Sequence, residues 1–334
     1  MKDSDNLHSN KKYVFPSLDL LDGPGAEFVG EGAGEASDKI AAKLRLKELF
    51  ETPQWLQCGA VLPAAIGRYA SGEPIIFDLA QSASILIGGI VGKTVCINAM
   101  VASLLFRRTP QELRFIMFDG HCVDLEPYNP LPHMLAPVIT DEYKMTAALS
   151  WLVGEMHRRL KIFEKAGAAN IAKYNAAVSL AGWQHKNSAE KMPYIFCIVD
   201  EFCGAMFQCA EEFGANVARL TQLGRAAGIC LLLSSKGTRK EIITDFISAN
   251  FLTRIAFGVF HLSDSHVVLG EGGAEKLERY SGDMLVKGLA DAAARRAQCA
   301  FIGDDEIARI AGALKANGEP QYNQDLLSKI AEVP

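Results

Sequence analysis

Residues 85–100 read ILIGGIVGKTVCINAM, and this stretch decides the fold. An apolar strand pattern (Ile85–Ile87) runs into a glycine-rich turn, Gly88-Gly89-Ile90-Val91-Gly92, then into Lys93-Thr94 and an apolar helix. Such a turn suits phosphate. Backbone N–H groups and a helix N-terminus face the anion, the lysine meets the terminal phosphates and the threonine hydroxyl binds Mg²⁺. The usual spacing, G-x-x-x-x-G-K-[ST], would put its first glycine at position 87, which is Ile87. The available glycine is Gly89, so the turn reads G-x-x-G-K-T and is two residues short. Each charge-assisted N–H bond contributes ~1.5–3 kcal/mol, so two lost donors weaken nucleotide binding roughly 10²–10⁴-fold unless the turn re-forms. The competing reading of this segment alone is a tight strand-to-helix turn with an exposed lysine.

The second decisive stretch is YIFCIVDEF, residues 194–202. Its apolar run ends in Asp200-Glu201. A carboxylate at the C-terminal end of a central strand points into the ligand crevice of an α/β sheet. There Asp200 joins Thr94 in holding Mg²⁺, and Glu201 acts on the attacking water. A solvated acidic pair is the plainer alternative. A third stretch, LGRAAGICLLLSSKGTRKE (223–241), ends its strand in two serines and Lys236, which is positioned to sense a γ-phosphate or to be an ordinary loop lysine.

Outward from these, short apolar runs alternate with helical patterns: 84–89, 114–119, 194–202, 229–235, 254–259 and 297–302. Most are apolar on both faces, as central parallel strands are. A long amphipathic helix spans about Asp141 to Ala166, with Asp141 as N-cap and Gly167 just past its end. The pattern predicts an α/β class with a mostly parallel, doubly wound sheet. Residues 1–45 read as a weakly ordered segment, with a helix over KIAAKLRLKELFE (39–51) at its end; 46–316 form the main domain, and 317–334 a tail with a loop and terminal helix.

Composition bounds the class. The chain has 334 residues, 49% hydrophobic and 22% charged, with net charge −5. That is globular composition, and it argues against a protein basic over most of its surface. The eight cysteines form no C-x-x-C pair, which disfavours zinc and disulfide frameworks and favours a reducing, cytoplasmic setting. No apolar run reaches the ~18–20 residues of a membrane-spanning helix. His121 and His133 read as structural, and G-x-G-x-x-G is absent.

Taken together, the segments resemble the motor domain of the FtsK/SpoIIIE family of DNA translocases. The collinear matches are PSLDLLD (16–22), RLKELFETPQW (45–55), IGRYASGEPIIFDLAQ (66–81), RFIMFD (114–119), LPHMLAPVITD (131–141), VGEMHRR (153–159), CIVDEF (197–202), GRAAGICLLL (224–233), TRIAFGV (253–259), GGAEKL (272–277) and GDMLVKG (282–288). The resemblance implies a RecA-like P-loop NTPase fold, ATP and Mg²⁺ as cofactors, and hydrolysis coupled to movement on double-stranded DNA. It also implies a homo- or hetero-hexameric ring of FtsK-like subunits, with nucleotide at the subunit interface. There Arg225 or Arg254 would act on the neighbour's γ-phosphate.

The departures cluster at the nucleotide. The family's phosphate loop is G-x-x-G-x-G-K-[ST]. Gly120-His121 stand where it has Pro-Lys, and Ser235-Lys236-Gly237-Thr238 where it has Thr-Gln-Arg-Pro. The small domain between PSLDLLD and the motor is nearly absent, and a membrane anchor and winged-helix reader are not seen. A DNA translocase is therefore the leading expectation, with a non-hydrolysing paralogue as alternative and a protein pump ranked last. A monomer or weak oligomer without DNA is expected.

Overall fold

The computed structural model describes residues 13–24, 44–180, 190–288 and 291–333. Nine strands form one sheet in the order β2-β1-β9-β8-β7-β3-β6-β5-β4. They are β1 (Pro63–Tyr69), β2 (Pro74–Asp78), β3 (Ser84–Gly88), β4 (Leu113–Asp119), β5 (Tyr194–Asp200), β6 (Ile229–Ser235), β7 (Thr253–Phe257), β8 (Asp283–Lys287) and β9 (Arg295–Cys299). The longer helices are α1 (Lys93–Leu105), α2 (Glu142–Lys165), α3 (Ile171–Ser179), α4 (Ala210–Ala227), α5 (Leu262–Leu269), α6 (Asp304–Lys315) and α7 (Gln324–Ala331).

Strands β7, β3, β6, β5 and β4 pair in parallel, and these are the first five apolar runs of the sequence. β5 and β6 are buried at every position, because helices cover both faces. α1 and α6 belong to one core layer, with Ile97, Met100, Leu104, Ile310 and Leu314. α2, α4 and α5 belong to the other, with Leu149, Leu152, Val217, Leu220 and Val268. The doubly wound α/β expectation holds. The sheet also carries an antiparallel extension, β8-β9-β1-β2, of which the apolar pattern marked only the last run, 297–302, as a strand and the family resemblance marked residues 66–81 as strand and turn.

The long helix begins and ends where its punctuation requires. Asp141 accepts from the Lys144 N–H at 2.8 Å, and Gly167 takes φ +66° after the last turn. Two expectations near the N-terminus change. Residues 13–24 are not loose: a 3₁₀ turn at Leu18–Leu20 puts Leu21 into the core, and Asn317 brackets the Val14 backbone with bonds of 2.8 and 3.0 Å. The cause is the apolar set Leu18, Leu20 and Leu21, which has a surface to bury against. The helix expected over 39–51 begins at Leu46, because Arg45 is extended and bridges Phe301; its part before residue 44 lies outside the described residues. The C-terminal stretch packs as well: the Asn323 N–H donates to the Leu135 carbonyl at 2.8 Å, and Leu326 of α7 is buried. Among the described residues, no helix is long and apolar enough to cross a membrane.

Candidate functional site

Parallel strands bring their C-terminal ends to one edge, and register fixes what meets there. Gly88 pairs with Ser235, Asp200 with Ser234, and Asp119 with Asp200. The turn after β3, the carboxylates ending β4 and β5, and the serines ending β6 therefore converge.

The turn itself is built on Phe257. Gly89 and Gly92 take φ +130° and +108°, which side-chain-bearing residues rarely adopt. A Cβ on Gly89 would lie 2.8 Å from the Phe257 Cβ, and one on Gly92 2.5 Å from its ring. The Ile90 N–H donates to the Gly258 carbonyl at 3.2 Å, so one of the few N–H groups of the short turn is engaged by β7's trailing residues.

Gly92 is the N-cap of α1 and no side chain caps that end. The first N–H groups of a helix have no intrahelical partner, so Lys93, Thr94 and Val95 present free donors there. Lys93 is only 6% exposed, and its ammonium donates to the Gly89 carbonyl at 2.9 Å. Burial pushes the Lys93 pKa down, while the carboxylates of Asp200, Glu201 and Asp124 oppose that and the Lys236 ammonium adds to it.

Asp200 is 2% exposed, and burial pushes its pKa up against the Ser234 hydroxyl first and the Lys93 ammonium second. Its Oδ2 is buried without a hydrogen bond of good geometry, as is the hydroxyl of the neighbouring Ser234. Such an orphan oxygen is costly unless a cation or donor arrives. With the uncapped helix end, the neighbouring Thr94 and Lys93, it makes a donor set that fits a Mg²⁺–nucleotide.

Glu201 follows in a strained conformation, φ +60°. Its Oε1 accepts from the Ser235 hydroxyl at 3.0 Å and its Oε2 from the Lys236 N–H at 2.7 Å; His121 Nε2 stands 4.0 Å from Oε2. His121, read as structural from the sequence, thus faces the site, whereas His133 is buried against the Arg108 carbonyl.

Other sequence candidates separate. Lys236 follows the Gly88–Ser235 register pair and its charge acts on Lys93, which puts it at the site. Arg225 lies at the opposite end of the strands, near the start of β6, where it pairs with Gln81. Arg254 does not present a free guanidinium: it donates to the carbonyls of Phe251, Ser248 and Val268. Its role as a donor to a neighbour's nucleotide is withdrawn on that ground, since its charge is spent holding α5 and the turn before β7.

Two participants were missed. Asp119 is buried, and its carboxylate accepts from the N–H groups of His121, Cys122 and Leu125, shaping the loop over the site. Asp124 on that loop has its pKa pushed up, by burial first and Asp119 second. The signal was available: RFIMFD ends in a carboxylate as CIVDEF does.

The FtsK/SpoIIIE family profile matches residues 45–239. The chain is 36% identical over 300 residues to the DNA translocase FtsK 2 of Neisseria meningitidis, covering 85% of this chain and 30% of that protein. It is 37% identical over 302 residues to the DNA translocase FtsK of Rickettsia bellii, covering 83% and 40%. The chain spans about a third of the length of the curated relatives it matches. Among solved structures, the pCW3 conjugation coupling protein TcpA, a monomer form with ATPγS, aligns with TM-score 0.67 at 21% identity, covering 89% of this chain and 81% of that one. The cytoplasmic domain of the Thermomonospora curvata type VII secretion ATPase EccC aligns with TM-score 0.65 at 23% identity, covering 79% and 32%. The chain shares the fold of these two structures.

Proposed function

Because the chain belongs to the FtsK/SpoIIIE family, we propose that it is an ATP-driven motor acting on double-stranded DNA, in chromosome partition and cell division. The observation that carries this reading is the buried, unpartnered Asp200 Oδ2 beside the uncapped N-terminus of α1. When bound, ATP with Mg²⁺ would supply the phosphoanhydride and the charge neutralisation, with Thr94 and Asp200 placed to hold the metal. Lys93 and the N–H groups of the 88–94 turn, apart from that of Ile90, which the Gly258 carbonyl takes, would bind and orient the phosphates. Glu201 orients water and takes its proton, and Lys236 contributes charge at the terminal phosphate.

In a homo- or hetero-hexameric ring of FtsK-like subunits, Arg225 is the residue left to act in trans. It lies far from its own site, so a neighbour's site is the place it can serve. Only surfaces facing DNA need be basic, since a motor grips phosphates rather than sequence; a net charge of −5 is compatible with that. The setting is the cytoplasm.

The test is Mg²⁺-dependent ATP hydrolysis with and without long duplex DNA, beside Lys93→Ala and Glu201→Gln. DNA-stimulated turnover abolished by both substitutions supports the motor. No turnover above the Glu201→Gln background overturns it, leaving the non-hydrolysing paralogue.

A further inference from the structure

We infer that the Ser235 hydroxyl is a positioning group through which the loop after β6 controls Glu201; the inference rests on the motor reading above. Ser235 is fully buried at the end of β6. Its Oγ lies 3.0 Å from Glu201 Oε1 and 3.1 Å from the Gly237 carbonyl, and it accepts from the Gly237 N–H at 3.0 Å. A serine hydroxyl has one proton, so it serves the carboxylate or the carbonyl, not both. The next residue adds a second tie, from the Lys236 N–H to Glu201 Oε2.

Both oxygens of the Glu201 carboxylate are therefore engaged by one short turn, 235–237. Glu201 also holds a backbone conformation that a non-glycine residue keeps only when its surroundings enforce it. In this arrangement Glu201 is held in reserve. Beyond the turn, Arg239 and Lys240 are exposed, while Ile242 and Ile243 are buried and anchor the far side. Duplex phosphates drawing on these two cations would shift the turn. The Ser235 proton then passes from the Glu201 bond to the Gly237 carbonyl, the Lys236 N–H withdraws, and Glu201 turns to water. No covalent bond changes; one hydroxyl rotates.

The experiment compares full-length wild type, Ser235→Ala and Ser235→Thr for ATP turnover with and without duplex DNA. Ser235→Ala should raise the DNA-independent kcat about threefold or more while leaving KM for ATP within about twofold, so that the DNA stimulation ratio falls. Ser235→Thr, which keeps the hydroxyl, should retain the wild-type ratio. A Ser235→Ala protein with both rates lowered in proportion, or with the wild-type ratio, overturns the inference. Deuterium uptake over 235–240 gives a readout besides activity: duplex DNA should speed exchange at the Lys236 amide toward the level of Glu201→Ala. DNA binding and stimulated turnover with that amide still protected overturn the Ser235 coupling alone. No DNA binding and no stimulated turnover in wild type overturn the motor reading and the coupling with it.

Discussion

The Lys93 ammonium donates to the Gly89 carbonyl across 2.9 Å, bridging the two glycines' ends of a turn that is two residues short. The buried cation thus places one of its three donors within its own loop. It remains flanked by Asp200 and Glu201, whose charges offset part of its desolvation.

Lys93→Met keeps the stem and removes the charge. Turnover is expected to fall about 10²–10³-fold, the usual loss for one preorganised electrostatic donor. Folding is expected to survive, because a buried charge and its desolvation cost leave together. Steady-state ATPase assays and urea unfolding of the same preparation check both halves; wild-type turnover would remove Lys93 from the site.

Inserting two residues between Gly89 and Ile90 should restore lost donors. Nucleotide affinity is expected to tighten about 10²-fold or more, two charge-assisted bonds contributing ~1.5–3 kcal/mol each. Titration with a fluorescent ATP analogue measures this. Unchanged affinity would mean that the short turn, seated on Phe257 and tied to the Gly258 carbonyl, already cradles phosphate fully.

Arg254 and Arg225 should behave oppositely. Arg254→Met strips three carbonyls of a charged donor, and a loss of about 2–3 kcal/mol in unfolding free energy is expected. Its turnover per folded molecule should remain. Arg225→Ala removes an exposed side chain and should stay within about 0.5 kcal/mol of wild type. Its effect should appear as lost turnover in the assembled ring, rescued by mixing with a subunit that supplies the arginine. Denaturant titrations and mixed-subunit ATPase assays separate the two.

His133 predicts an acid-labile step. Its ring is buried, Nε2–H faces the Arg108 carbonyl at 3.0 Å, and Nδ1 has no partner. Burial lowers its pKa from 6.5 to about 4. The unfolded chain binds a proton below pH 6.5 that the folded chain refuses until about pH 4. This contribution is therefore complete above 6.5 and is lost as pH falls toward 4, amounting to about 3 kcal/mol. His133→Gln, which retains an N–H donor and cannot charge, should flatten that part of the pH profile in urea unfolding between pH 4.5 and 7. An unchanged slope would assign the acid sensitivity to other groups.

Much of this protein was legible before any coordinates. The strand at 84–88, its glycine turn and the helix from Lys93 are local in cause: β-rich apolar runs, glycine at positive φ, then helical periodicity. Asp200-Glu201 at the end of an apolar run was legible for the same reason, and so were the Asp141 cap and the Gly167 stop. Of the antiparallel strands, β1 and β2 were legible only through the likeness of residues 66–81 to the family's strand and turn, and β8 was not read as a strand, because only pairing across the edge shows that these half-apolar sequences belong to the sheet. Asp119 was passed over although its own strand ends as that of Asp200 does.

What only the tertiary structure decided are the partners. The sequence by itself determined which residues reach the carboxyl edge of the sheet, since strand length and pleat are set locally. It did not determine that Ile90 spends its N–H on Gly258, that Arg254 is consumed by carbonyls, that Arg225 lies at the far end, or that Ser235 and Lys236 hold Glu201. Apart from those of Arg254, whose acceptors lie 3, 6 and 14 residues away, each of these contacts joins segments tens of residues apart, and hydrogen bonds are short: which donor meets which acceptor depends on strand order and register, which no local stretch of sequence carries.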